Sequence, residues 1–347
     1  MSDARRTTGL DRAGLARAVL FFGALTALPF GVTTHWILNM AIFTLIYAGL
    51  ASAWNLVGGL AGYPSLGHAA FFGVGAYAEA IYFQHRDVGG NGLLPFFALP
   101  VIGIGVALAG VVVGWIAMRT RSDVFAIVTI TLLFVVQTLA FNLTSLTGGA
   151  QGVGMQSAPF DVDTYERPFY LVLVLLLALA MGITWAAMRS RVGLSLQAVA
   201  ADEERARGIG VHVGGVKLLA FAVSVGIAGM IGAVWAYYVT FVYPQFAVDP
   251  LITIGMVLMC YLGGRGTLWG PVLGALIIVP AQQYLAYQYG ATQLYLIAYA
   301  AIFLFIMLLM PRGILPSLSE RLRKRAAARA PGEAQALAPA APKELVP

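Results

Sequence analysis

Polar side chains are sparse in the apolar runs of this sequence, and where they recur their spacing can be read. Thr131, Thr138, Asn142 and Ser145 are separated by seven, four and three residues, which at about 100° per residue places them in one narrow stripe of a helix. Hydroxyl and amide groups arranged in this way can hydrogen-bond a neighbouring helix, worth about 0.6 to 2 kcal/mol per contact in a membrane. They can equally line a path for a polar solute. His68, Phe72, Gly75 and Glu79 form a second stripe, with spacings of four, three and four. A lone carboxylate in lipid costs several kcal/mol, so Glu79 must face protein, a water-filled path or the outer surface. The chemistry these groups allow is binding. Neither a nucleophile with its base nor a metal-ligand set is visible, and His35, His68, His85 and His212 are scattered. No catalytic residue and no metal site is assigned. One carboxylate is too few for an ion or proton relay. There is no G-x-x-x-x-G-K-[ST] loop, since the lysines are Lys217, Lys324 and Lys343 and none has that context. The chain is therefore expected to bind no cofactor, and any ATP dependence must come from another chain.

These groups sit in a sequence of 347 residues that is 60% hydrophobic and 10% charged, with a mean hydropathy of +0.83. That composition excludes a water-soluble fold and predicts an all-α polytopic membrane protein. The single cysteine, Cys260, excludes a disulfide scaffold. A helix needs about 20 apolar residues to cross roughly 30 Å of hydrocarbon, with every backbone group paired internally. Apolar runs of that order fall at 16–32, 36–57, 69–83, 94–118, 124–143, 169–188, 218–239, 251–262, 268–285 and 294–310. Apart from Arg17 at the inner end of the first, Glu79 is the charge they contain. With ten spans and both termini in the cytoplasm, all but two of the 21 Lys and Arg fall inside. The two outer ones, Arg86 and Arg167, lie among Asp87, Asp161, Asp163, Glu166 and Asp249. The positive-inside rule thus favours an even count, ten rather than eight. Arg5, Arg6, Arg12 and Arg17 ahead of an apolar run also resemble the start of a signal peptide. No small-x-small cleavage site follows, so the first segment is expected to be retained.

The chain then divides into a basic cytoplasmic amino terminus (1–15), a membrane domain (16–316) and a basic, disordered tail (317–347) suited to lipid association. The third and eighth segments are too short to cross comfortably. Glycines border both: Gly58, Gly59, Gly62 and Gly67 before one, Gly263, Gly264 and Gly266 after the other. They are five segments apart, an odd offset that suits re-entrant helices in an inverted repeat; close helix packing accounts for the glycines equally well. The inner segment after the sixth span is helix-compatible and amphipathic from Leu194 to Arg207, with Gly208 and Gly210 stopping it. Held between two spans, such a helix can seat in a groove on a partner or rest on headgroups.

Four stretches carry a resemblance. NLVGGLAGYPSLGHAAFFGVGAY from Asn55 to Tyr77 is similar to the signature of branched-chain amino acid ABC-transporter permeases. ADEERARGIGV with KLLAFAVSVGIAGMIGA, between Ala198 and Ala233, resembles that family's cytoplasmic coupling region. TGGAQGV from Thr147 and YLGGRGTLWGPVLGALI from Tyr261 follow in the family's order. The likeness runs over about residues 36–315, and the basic extension with its extra span resembles the LivM type rather than the shorter LivH type. Pro64 departs from the family, which more often has a polar residue there, and so does Arg265 in its Gly-Gly-x-Gly turn.

The resemblance implies a type II ABC importer permease in a bacterial inner membrane, carrying leucine, isoleucine and valine. Implied partners are a second, LivH-type permease, two cytoplasmic ATPases that bind the ATP, and a periplasmic solute-binding protein; no nucleic acid is implied. The coupling region, about 194–215, would enter the ATPase groove through Ala201, Asp202, Glu203, Arg207 and Gly210. Candidates for the solute path are Tyr63, Ser65, Gly67, His68, Glu79, Thr131, Thr138, Asn142, Gly148 and Gly149. The alternatives are a permease of the same family for urea, short amides or aromatic acids, and an ATP-independent channel or secondary carrier.

Overall fold

The computed structural model describes residues 12–32, 34–289, 301, 304, 313–318 and 320. Most of the basic amino terminus and nearly all of the tenth apolar segment and of the tail lie outside the described residues. The helices are α1 (Arg12–Gly31), α2 (His35–Trp54), α3 (His68–Phe83), α4 (Leu94–Ala117), α5 (Ser122–Asn142), the single turn α6 (Thr144–Thr147), α7 (Glu166–Arg189), α8 (Arg191–Ala201), α9 (Glu203–Gly208), α10 (Val213–Val239), the single turn α11 (Pro244–Ala247), α12 (Pro250–Gly263) and α13 (Gly270–Tyr289). A two-stranded antiparallel ribbon pairs β1 (Val153–Gly154) with β2 (Phe241–Val242), Val153 opposite Val242. Helices thus occupy the first nine predicted segments. Among the described residues, six stretches are long and apolar enough to cross a membrane: His35–Leu60, Leu94–Ala117, Ser122–Asn142, Val162–Arg189, Val213–Val239 and Pro244–Gly263.

α10 is the hub, packed on α2, α3, α4 and α7. Lipid offers apolar side chains no less than a neighbouring helix does, so tight association depends on backbones coming close. Glycine supplies that closeness. A Cβ on Gly232 would meet the carbonyl oxygen of Phe72 in α3, and one on Gly75 that of Gly229 in α10. On the other flank Gly103, Gly110 and Gly114 of α4 receive Met230, Val225 and Phe221 of α10. The outer faces of α4 and α5 stay apolar and exposed, as at Phe97, Val101, Ile127 and Phe134.

The loops sort cleanly into two ends. At one, Gly62 lies against Ala200, Ser122 Oγ donates to the Gly62 carbonyl at 3.1 Å, and Asn55 reaches Thr267. At the other lie the ribbon, the contact of Val88 N–H with Gln156 Oε1 and the Tyr237 hydroxyl bonded to the Gly92 carbonyl at 2.9 Å. His35 and Glu166, 2.9 Å apart, join the first residues of α2 and α7 there. That grouping requires the long helices to alternate in direction, as the loop charges predict.

Two local features differ from the sequence reading. α2 does not simply end but continues as a π-helical turn over Asn55–Leu60, and an extended break follows before α3. The helix expected over 194–207 is two helices: Asp202, at φ −165° and ψ 111°, interrupts it. Its Oδ1 accepts from the Glu204 and Arg205 N–H groups, each at 3.0 Å. An aspartate free to cap competes well against continuing the helix.

Candidate functional site

The break ahead of α3 is held by buried polar groups. Trp54 Nε1 donates to the Ser65 carbonyl at 2.7 Å, and the Leu66 N–H to Thr129 Oγ1 of α5 at 3.0 Å. His68 bonds Ser65 Oγ through Nδ1 at 2.9 Å and Ser224 Oγ of α10 through Nε2 at 2.7 Å. Ser224 gives its own hydrogen to the Ala53 carbonyl at 2.6 Å. Ser224 must therefore accept from His68, which puts the ring hydrogen on Nε2 and leaves Nδ1 to receive the Ser65 hydroxyl. Every polar atom of the chain Ser65–His68–Ser224 is used, and all three residues are wholly buried. Gly67 packs its backbone on that of Thr129. This is a clamp joining α2, α3 and α10. Replacing His68 with alanine is expected to leave a cavity and stranded hydroxyls, at about 2 to 4 kcal/mol of stability. The loss should appear as a lowered unfolding temperature in detergent; an unchanged temperature would return the ring to a solute path.

Asn55 makes a second buried link. Its Nδ2 donates to the Thr267 carbonyl at 2.9 Å, and its Oδ1 accepts from the Gly266 N–H at 2.8 Å and lies 3.2 Å from Cys260 Sγ. The two glycine-rich borders seen in the sequence therefore meet, with Gly59 against Gly266. Glu79 faces protein: it is 1% exposed, and neither carboxylate oxygen has a hydrogen-bond partner among the described residues.

The α5 stripe is different. Thr131, Thr138, Asn142 and Ser145 are all exposed. Thr131 donates to the Ile127 carbonyl at 2.9 Å and Asn142 to the Thr138 carbonyl at 2.8 Å, each four residues back in the same helix. At the ribbon end the stripe runs into a turn in which Gly148 and Gly152 hold φ of 68° and 74°, positions that a side chain would strain. Gly149 is buried against Thr144 and the Phe141 carbonyl. Gly148 and Gly149 thus shape the end of the stripe.

At the opposite end, α9 carries the densest charge cluster among the described residues. Glu203 does not face outward. Its Oε1 lies 3.2 Å from Lys217 Nζ of α10 and also takes Arg207, while its Oε2 accepts from the Tyr63 hydroxyl. Lys217 Nζ also stands 4.1 Å from the centroid of the Tyr63 ring. Burial would raise the Glu203 carboxyl; the hydrogen bonds of Tyr63 and Lys217 and the charges of Lys217 and Arg207 outweigh it and hold the group below its usual range. Burial first, then the hydrogen bond and charge of Glu203, push the Tyr63 hydroxyl upward. A lowered carboxyl adds stability above its unfolded pKa and loses it as pH falls through the folded value, so the cluster is intact at neutral pH. Beside it Ala61–Tyr63, Arg119–Ser122, Val199–Glu204 and Arg207 bound a groove of about 570 Å³. A second notch of about 450 Å³ lies among Ala198, Ala201, Asp202, Arg205, Ala206 and Ile209. Ala201 lines both, and Gly210, at φ 87°, turns the chain away.

The sequence reading missed Ile209, 76% exposed at the end of α9, and Lys217, 1% exposed. An isoleucine between two glycines and a lone lysine opening an apolar helix were the available signals. It also missed Asn55 and Ser224, which look like ordinary helix residues until their partners are seen.

Residues 36–310 match the family model described as branched-chain amino acid transport system / permease component. The LivM high-affinity branched-chain amino acid transport system permease protein of Escherichia coli (strain K12) is 28% identical, over 88% of this chain and 76% of that protein. The LivM protein of Salmonella typhimurium is also 28% identical, over 86% and 74%. The LivH permease protein of Salmonella typhimurium is 23% identical, over 78% and 91%. No solved structure matches the chain.

Proposed function

The chain belongs to the branched-chain amino acid transport permease family, and we propose that it is one membrane subunit of an ATP-driven importer for leucine, isoleucine and valine. A second permease of the LivH type completes the pathway, two separate ATPases drive it, and a solute-binding protein on the outer side delivers the cargo. The membrane is a bacterial inner membrane. The α8–α9 end, which gathers Arg119, Arg121, Arg189, Arg191, Arg205 and Arg207, is cytoplasmic by the positive-inside rule, and the ribbon end faces outward.

One observation carries the reading: an exposed, uncharged polar stripe, Thr131, Thr138 and Asn142 of α5 and Ser145 of the turn after it, runs between exposed apolar residues such as Ile127, Phe134, Val135 and Leu139. A stripe of hydroxyl and amide groups with no fixed charge suits a zwitterion of zero net charge with an apolar side chain. It also needs a facing surface, which the second permease supplies. His68, Ser65 and Gly67 act behind that face as the clamp that sets the position of α3, and Glu79 is placed in the protein interior.

The test is uptake into proteoliposomes holding the two permeases, the ATPases and an excess of the solute-binding protein. Leucine uptake should require all of them and ATP. Uptake by this chain without the ATPases would support a channel or carrier instead, and preference for urea, a short amide or an aromatic acid would move the substrate within the family. In intact cells, a cysteine at exposed Val162 should react with an impermeant reagent while one at Ile209 should not; the reverse pattern overturns the orientation.

A further inference from the structure

Lys217 is buried at the start of an apolar helix, where a lone ammonium is costly, and docking of a partner on α9 makes no use of it. Its neighbours show what it does. Nζ stands against Glu203 of α9 and over the face of the Tyr63 ring, and the Tyr63 hydroxyl is bonded to the other oxygen of the same carboxylate. Three elements thus meet at one carboxylate: the short helix α9, the first turns of α10 that follows it, and the break ahead of α3, which is remote from both in sequence.

The arrangement resists slipping. Separating a buried charge from its partner leaves it uncompensated, which is far more costly than breaking an exposed pair, and cation–π contact adds to the hold on a desolvated ammonium. Arg207 also reaches Glu203, but its side chain is 63% exposed and cannot follow Lys217 inward. From Tyr63 the connection continues within two residues to Ser65, which is bonded to Trp54 and His68, and His68 returns to Ser224 of α10. A movement of α9 would therefore reach α3 by one route and α10 by two.

We propose that Tyr63, Glu203 and Lys217 form the joint that carries movement of α9 to the break ahead of α3 and to α10, as positioning residues for transport. The proposal rests on the reading that separate ATPases engage the α8–α9 end. It assigns Glu203 an inward role, so association with the ATPases and coupling to them become separable properties.

The experiment uses the assembled complex in proteoliposomes, with ATP hydrolysis and leucine uptake measured on the same sample and ATPase co-purification measured beside them. Lys217→Met, Glu203→Gln and Tyr63→Phe are compared with Lys217→Arg. ATPase co-purification should stay at the wild-type level in all four. Leucine moved per ATP should fall by about tenfold in Lys217→Met and Glu203→Gln, within the usual range for coupling between linked sites. Tyr63→Phe, which keeps the ring and loses one hydroxyl, should lower it by about threefold even if the charge variants fold poorly. Lys217→Arg should recover most of the ratio. Ratios within twofold of wild type with the ATPases bound would overturn the joint. Failure of the wild-type chain to bind ATPases at all would overturn the docking reading and the joint with it.

Discussion

Replacing Gly232 with leucine is expected to abolish the folded membrane domain, and even alanine there should be severe. The position has no room because the backbones of α3 and α10 touch: a Cβ on Gly232 would run into the Phe72 carbonyl oxygen, and the reciprocal contact is Gly75 against the Gly229 carbonyl. Side chains can rotate away from an intruding methyl, but a carbonyl locked in its own helix cannot. Overpacking usually costs about 1 to 3 kcal/mol and more where nothing gives. Here both helices would have to separate, and with them the His68 clamp one turn away. Gly232→Ala should therefore lower the monodisperse fraction after detergent extraction several-fold, and Gly232→Leu should leave none. Gly182 of α7, beside which a Cβ meets nothing within 4 Å, is the control. Gly182→Ala should be neutral or stabilising by up to about 1 kcal/mol, from helix propensity alone. A Gly232→Leu chain that elutes and melts like the wild type would show that the α3–α10 seam is not where the fold is decided.

The seam also explains what could be read from the sequence. Length and hydropathy locate helices in a membrane protein because every backbone group must be paired internally, and the first nine apolar segments became helices accordingly. Spacing shows which residues share a face. It does not show where that face points, because both lipid and protein neighbours are apolar. The stripes of the third and fifth segments illustrate this: Thr131, Thr138, Asn142 and Ser145 are exposed, whereas His68 and Glu79, with the same kind of spacing, are buried. The π turn at Asn55–Leu60 could not be foreseen, since it answers to Asn55 bonding Gly266 and Thr267, more than two hundred residues away. The break at Asp202 was legible in principle. Asp-Glu-Glu is a helix start, and it was hidden by an amphipathic period that happens to run across it.

That break shapes the second large effect, which tests the proposed association with ATPases by changing Ile209. Asp202 ends α8 and starts α9 in a new direction, and Glu203 then ties the inner face of α9 to Lys217 and Tyr63. Outward, α9 exposes Glu204, Arg205 and Arg207, and Ile209 just past its end is 76% exposed; Arg205, with its side chain 89% exposed, and Ile209 line a notch with Ala198, Ala201 and Ala206. An exposed branched apolar residue beside small ones and a long cation is the composition of an interface centre, where a few side chains supply most of the binding energy. Ile209→Asp buries a carboxylate at that centre. It should weaken binding of the ATPases by about 2 kcal/mol or more, roughly thirtyfold, while the isolated chain keeps its unfolding temperature. Arg205→Glu should weaken binding less, since an exposed charge is worth little alone. Asp202→Ala differs in kind: it removes the cap and should lower stability by about 1 kcal/mol along with binding. Co-purification and melting of the three variants therefore separate docking from local folding. If Ile209→Asp retains the ATPases at wild-type level, the docking surface lies instead at the groove that α8 and α9 form with Arg119 and Arg121 of the α4–α5 connection.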